Sequence, residues 1–205
     1  MEIRKARSSD RQALFDICLK TARAGLDGTE LYTHGFLPGL LWAVPYLDLE
    51  PDLAFVLVDG DEVLGYVLGT SDTDGFRERL DQEFLPPWRE RLRAFKPVTP
   101  QDQSVVERIL EVERTPPEIT ASHPAHLHIN LLPRAQRQGF GRRMIETEIA
   151  ALAAAGAPRI HLGVSIGNDA GLAFYGSLGF TEISRSHCIY LGRSTQPATQ
   201  EGAAQ

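Results

Sequence analysis

Apolar and polar positions alternate in a way that predicts strands at both ends of the chain and two strand-to-helix units near its C-terminal third. Residues 2–6 read as a short strand. Ser8, Ser9 and Asp10 offer N-caps to a helix over residues 11–24, whose apolar face carries Leu14, Ile17 and Cys18 and whose stop signal is Gly25. Residues 31–49 are apolar and aromatic, but Pro38 and Pro45 interrupt any helical period, so broken helix and loop are expected. Residues 55–58 and 63–69 alternate as two strands of a hairpin, joined by Asp and Gly residues that tolerate positive φ. From His126 the period is plain: a strand to Leu132, a turn, a helix over 142–155, a strand over 160–166, a helix over 170–178 and strands near Phe180 and Ile189.

Residues 72–122 differ in texture, with helical stretches at 76–92 and 104–114 separated by six prolines, from Pro86 to Pro117. They hold too few apolar residues for a core of their own and are expected to pack on the parent sheet as an insertion. The domain reading is therefore one unit over 1–194 and a flexible polar tail over 195–205. The length, 205 residues, suits one domain with an insertion. With 42% hydrophobic and 23% charged residues the chain has an ordinary globular composition. No apolar run approaches the ~20 residues of a membrane span, and residues 1–10 lack the basic-then-apolar pattern of a leader. A cytoplasmic setting without membrane partners is expected. A net charge of −6 argues against a general nucleic-acid binder. Cys18 and Cys188 read as free thiols in the core. Monomer and homodimer both stay open.

The chemistry concentrates after the strand ending at Leu131 and Leu132. Gln136, Arg137, Gln138, Gly139, Phe140 and Gly141 lead into a helix with Met144, Ile145, Ile149 and Leu152 on one face. The first amides of a helix lack internal partners and carry the positive end of its dipole, so this entry is suited to an anion. Arg134, Arg137, Arg142 and Arg143 crowd the same entry with no acid between Pro133 and Arg143, which calls for an anion to offset them. The bland alternative is a plain turn with its arginines in solvent. Neither the nucleotide loop, which needs Lys and Ser or Thr after its glycine, nor the dinucleotide fingerprint, whose third glycine is Met144 here, fits.

These residues resemble the Gln/Arg-x-x-Gly-x-Gly/Ala signature of GNAT acetyltransferases. Asn168, with Ala173, Phe174, Tyr175, Leu178, Gly179 and Phe180, is similar to that family's second signature. The stretch from His123 to Pro133 and the insertion before it also look similar to the acetyltransferase-like C-terminal domain of O-GlcNAcases and its free-standing bacterial relatives. The resemblance implies an α/β (α+β) fold: a central mixed, mostly antiparallel twisted sheet split at a V-shaped cofactor cleft, with helices on both faces. It also implies acetyl-CoA as co-substrate and an amine acceptor of unknown identity. The amides of residues 136–141, helped by Arg142, would hold the pyrophosphate, and the backbone of Asn130, Leu131 and Leu132 the pantetheine arm. Asn168 would bond the arm or cap its own helix. Tyr175 would protonate the leaving thiolate, or else pack with Phe174 and Phe180.

The general base is less legible. His126, His128 and Asn130 share one strand face. Asn130 cannot take a proton and His128 can, although a structural histidine is an equal reading. A His-x-His pair can ligate zinc, but too few further ligands lie near, and no metal is expected. Tyr32, Trp42, Tyr46, Phe84 and Trp88 are candidate walls for the acceptor. The functional expectation is an acetyl-CoA-dependent N-acetyltransferase; a catalytically inactive GNAT-like binding module is the alternative.

Overall fold

A computed structural model describes residues 1–196. The strands are β1 (Glu2–Lys5), β2 (Ala54–Asp59), β3 (Glu62–Thr70), β4 (Ala125–Leu131), β5 (Arg159–Ser165), β6 (Thr181–Arg185) and β7 (Cys188–Ser194). The helices are α1 (Arg11–Lys20), α2 (Gly39–Trp42), α3 (Val44–Leu49), α4 (Thr73–Arg79), α5 (Pro86–Leu92), α6 (Pro100–Leu110), α7 (Pro117–Ser122), α8 (Phe140–Ala154) and α9 (Asp169–Gly176). They form the expected α+β fold, a seven-stranded sheet in the order β1-β2-β3-β4-β5-β7-β6.

Every neighbouring pair is antiparallel except β4 and β5, which run parallel. That pair touches only at Ala125↔Ile160 and His126↔His161, whereas β4 stays with β3 from His126 to Leu131. The two strands therefore part after His126, and the sheet opens between them as a V. The period-two alternation of the strands sends side chains to two separate cores. On one face Val56, Tyr66 and Leu68 pack with Leu14, Tyr46 and the insertion residues Phe76, Leu80 and Ile109. On the other Leu57, Val67, Leu127 and Leu162 pack with Met144, Ile145 and Leu152 of α8.

Residues 72–122 contribute Phe76, Leu80 and Ile109 to the first core, but their elements differ from those expected. Pro86, Pro100 and Pro117 each open a helix, where a missing N–H breaks no bond. Hence α6 starts at Pro100 rather than 104, capped by Thr99 and Asp102, and α7 was not expected at all. Asp102 ties the insertion to the 31–49 segment by accepting from the amide and hydroxyl of Thr33, 3.0 and 2.6 Å away. Burial would raise its carboxyl, but the hydrogen bonds from Thr33, Val98 and Thr99 together hold it below the usual range.

Other boundaries move for local reasons. Asp10 caps no helix by its side chain; it accepts from Arg4 and from the Arg7 amide. Helix α1 ends at Lys20, because Thr21 leaves helical geometry and turns its hydroxyl back to the Ile17 carbonyl. Thr195 is buried, with its hydroxyl on Ala157 O at 2.5 Å and its amide on Pro158 O at 3.1 Å. The tail expected from 195 is thus anchored at its first residue, and residues 197–205 of it lie outside the described residues.

Glu148 sits on the buried face of α8, and among the described residues neither of its carboxylate oxygens has a partner. A β-carbon on Gly69 would fall 2.3 Å from its Oε1 and 2.9 Å from the His126 carbonyl, so this crossing requires glycine. Burial pushes the Glu148 carboxyl up from 4.5 to about 8. The folded protein therefore keeps a proton there that the unfolded chain releases near 4.5, and stability falls as pH rises through that interval. Glu148→Leu should remove the dependence, stabilising the fold at pH 8 by on the order of 3 kcal/mol more than at pH 5. Urea midpoints at the two pH values check this, and an equal gain at both would contradict it.

Candidate functional site

The turn between β4 and α8 is shaped by two left-handed residues. Gly139 has φ +82° and Arg137, where an L side chain is disfavoured, has φ +58°. Two such residues in three bend the chain so that successive amides converge, the form of an anion-binding nest. Among the described residues the amides of Arg137, Gln138 and Gly139 donate to no backbone or side-chain acceptor, and those of the first turn of α8 are ones no helix can satisfy internally. Gly141 is glycine for another reason: a β-carbon there would lie 3.2 Å from the Phe174 ring and 3.5 Å from Leu131.

The arginine cluster is not what the sequence suggested. Arg134 turns away from the nest to Asp59 and Glu62 of the β2–β3 hairpin, at 3.0 and 2.9 Å. Arg142 bonds the Ser177 carbonyl at 3.1 Å and lies 3.5 Å from Glu146. Arg143 lies over the Phe140 ring. Of the four, Arg134 and Arg142 meet carboxylates while Arg137 and Arg143 have no ion pair among the described residues, so the protein itself offsets only part of the charge at this entry. Gln136 donates to Leu131 O at 2.8 Å and Gln138 to Arg134 O at 2.6 Å, bonds that brace the turn.

A cleft of about 480 Å3 opens where β4 and β5 part, chiefly on the sheet face opposite α8. His128 and Asn130 of β4, His161 and Ser165 of β5 and Tyr190 of β7 line it, and Arg77, Arg108 and Glu113 of the insertion overhang it. Leu127 and Leu162, which belong to the α8 core, also reach it, so the gap runs through the sheet.

The three inner histidines are differentiated by their bonds. Thr73 donates its one hydroxyl proton to Pro124 O at 2.6 Å, so towards His126 Nδ1, 2.8 Å away, it accepts. Nδ1 of His126 then carries hydrogen and Nε2 accepts from Tyr46 OH at 2.6 Å. Both nitrogens are engaged, and burial holds the ring well below its ordinary pKa. His161 donates from Nδ1 to His123 O at 2.7 Å, which leaves Nε2 as an acceptor; burial pushes it down to about 4. His128 makes no hydrogen bond among the described residues and packs edge-on against Tyr46. Burial, then the Arg77 charge, push it down to about 3, so it is neutral and a weak proton acceptor. The Asn130 amide donates to Thr21 Oγ1 and so ties β4 to α1.

Leu132 has both backbone groups engaged, its amide on Leu64 O and its carbonyl accepting from Ala135. Asn168 caps α9, accepting from the Gly171 amide at 2.9 Å. Tyr175 is on α9 between Phe174 and Phe180, with ring centroids 5.3 and 5.8 Å away, and is not among the residues that wall the cleft. Burial pushes its phenol up to about 12, so it stays protonated. Of the expected acceptor walls, Tyr32 and Trp42 line the cleft, while Tyr46, Phe84 and Trp88 belong to the core behind it. Cys18 is buried as expected, but Cys188 is half-buried and faces the cleft. His161 and Arg77 were missed. His161 was open to discovery, since it alternates with Gly163 and Ser165 on a strand already recognised; Arg77 was hidden in an insertion read only as packing.

Comparison with known proteins agrees with this geometry. Residues 27–180 match the acetyltransferase (GNAT) family. The solved structure of SsHAT is 40% identical, with a TM-score of 0.85, covering 96% of this chain and 98% of that one. The structure of yncA from Salmonella typhimurium with its cofactor acetyl-CoA shares the fold at 13% identity and a TM-score of 0.58, covering 99% and 98%. Protein O-GlcNAcase from Rattus norvegicus is 26% identical over 195 residues, which is 90% of this chain but 21% of that protein. The chain thus spans about a fifth of that curated relative. Among the described residues no helix is long and apolar enough to cross a membrane. With a family match over most of its length and a sheet that splits beside a left-handed turn at Arg137 and Gly139, the chain belongs to the GNAT acetyltransferase family.

Proposed function

We propose that the protein is an acetyl-CoA-dependent N-acetyltransferase that transfers acetyl directly to an amine within a ternary complex, working in the cytoplasm as one domain over 1–194 with 72–122 inserted. The observation that carries this reading is the parting of β4 and β5 after His126, beside the unpartnered amides of Arg137, Gln138 and Gly139. The nest would take the pyrophosphate, with Gln136 and Gln138 bracing it and Phe140, Gly141 and Arg142 completing its rim. The arm would follow the β4 edge that faces the gap. Leu132 N–H donates to Leu64 O, so by the period of two Asn130 also turns its backbone groups to β3, opposite Tyr66, and the Leu131 carbonyl accepts from Gln136. The arm's backbone partners would therefore be the Leu131 amide and Ile129.

On the far side of the gap an amine would meet a cleft rich in arginine and lined by neutral histidines. Positive surroundings and lost solvation both lower the pKa of an ammonium, so the acceptor arrives as the neutral nucleophile without a strong base. Its nitrogen attacks the thioester carbonyl, the C–S bond breaks, and the proton lost from nitrogen passes to His128 or His161 Nε2 and on to solvent. Tyr175 would supply the proton to the departing thiolate and take one back from solvent to complete the cycle.

The measurement is thiol release from acetyl-CoA in the presence of primary amines, expected to depend on amine and to saturate. Tight cofactor binding with no release for any amine would instead favour the inactive-module reading. Among the described residues Glu113 is the one carboxylate lining the cleft, and Arg108 already pairs with it at 2.9 Å, which is the observation on that side.

A further inference from the structure

Arg77 differs from the other arginines of residues 72–122 in its buried Nε without a hydrogen-bond partner, although Arg91 and Arg114 also lack an ion pair among the described residues. Arg79 pairs with Glu50 and Arg89 with Asp81. Arg108 is 2.9 Å from Glu113 and has its guanidinium over Trp42. Arg77 projects from α4 over the cleft with its Nε buried and unpartnered, and among the described residues it has no ion pair. The groups beneath it offer no counter-charge: Tyr46, Tyr190, His126, His128 and His161 all sense its positive charge and all are neutral near pH 7. Three arginines line the cleft against a single carboxylate. A guanidinium whose Nε is shut off from water without a partner gains from an anion at its open end, and its fork suits a carboxylate held by two parallel bonds.

We propose that the acceptor is a small zwitterion, an amine that carries its own carboxylate, and that Arg77 binds that carboxylate while the amine is directed into the gap between β4 and β5. This rests on the acetyltransferase reading and names its substrate class. The same positive cleft disfavours polycationic acceptors such as lysine-rich peptides, which would bring like charge to Arg77, Arg108 and Arg114. The volume of about 480 Å3 holds a molecule of amino-acid size beside the thioester.

The test uses the full chain with saturating acetyl-CoA and matched pairs: glycine, β-alanine, 4-aminobutyrate and 5-aminovalerate, each against its methyl ester and against the alkylamine of the same length. Aminoalkyl phosphonates and a lysine-rich peptide form further arms. At least one carboxylate should exceed its ester and alkylamine in kcat/KM by roughly tenfold or more, mostly through KM. Arg77→Met should erase that preference, read as the ratio of carboxylate to alkylamine kcat/KM within the variant; Arg77→Lys should keep part of it. Equal kcat/KM across every pair, a preference for the peptide or the phosphonates, or an unchanged preference in Arg77→Met would overturn the proposal. If no amine turns over, the acetyltransferase reading fails separately, and the proposal is read from binding. The histidine Cε1–H resonances of wild type should then shift with the carboxylates and not with their esters, a readout needing no variant, and the absence of any such difference overturns it.

Discussion

Gly139→Glu should reduce acetyl-CoA affinity by on the order of a hundredfold or more while leaving a folded protein. Gly139 has φ +82° and nothing lies within 4 Å of where its β-carbon would be. Any L residue there costs about 1–2 kcal/mol of backbone strain but meets no steric wall. Gly139→Ala is therefore the control, expected to lose that stability and little affinity. The glutamate adds a negative charge beside the expected pyrophosphate and displaces it from amides whose charged hydrogen bonds contribute about 1.5–3 kcal/mol each. Two such bonds lost account for the hundredfold. Calorimetric titration of the three proteins separates strain from charge, and similar affinities for glutamate and alanine variants would contradict the assignment of the nest.

Tyr175→Phe should lower turnover by about a hundredfold, the lower end of the range for a positioned general acid, with acetyl-CoA affinity unchanged. The phenol has no hydrogen-bond partner among the described residues, and its ring packs against Phe174 and Phe180 by faces the substitution retains. Stability should therefore change little, so a loss of rate reports on the proton. Because burial pushes the phenol up to about 12, it stays a donor well above neutral pH. Any fall of the wild-type rate between pH 8 and 10 must come from another group and should persist in the variant. Equal turnover by variant and parent would leave Tyr175 a packing residue.

What could be read from the sequence was what local chemistry controls. The β4–turn–α8 unit was legible because a left-handed residue before a helix needs glycine and because the apolar period of α8 is regular. Residues 72–122 were legible as helical, but their prolines were read as breaks when three of them are helix starts. The arginine cluster misled because Asp59 and Glu62, which hold Arg134, come from a hairpin distant in sequence. Glu148 shows the same limit in reverse: an acid on an apolar helix face looks like a surface position until β3 is seen to carry Gly69 against it. The pairing of His161 with the His123 carbonyl, and the isolation of Arg77, depend on tertiary neighbours that no spacing encodes.

The claim beneath the proposal is that the amides between Arg137 and Gly141 bind the cofactor's pyrophosphate. Titration of the wild-type protein with acetyl-CoA tests it most directly. Saturable binding at micromolar concentrations, competed by CoA and by free adenosine 3′,5′-bisphosphate more weakly, is the predicted result. No binding at millimolar acetyl-CoA, or binding of equal strength in Gly139→Glu, would contradict it.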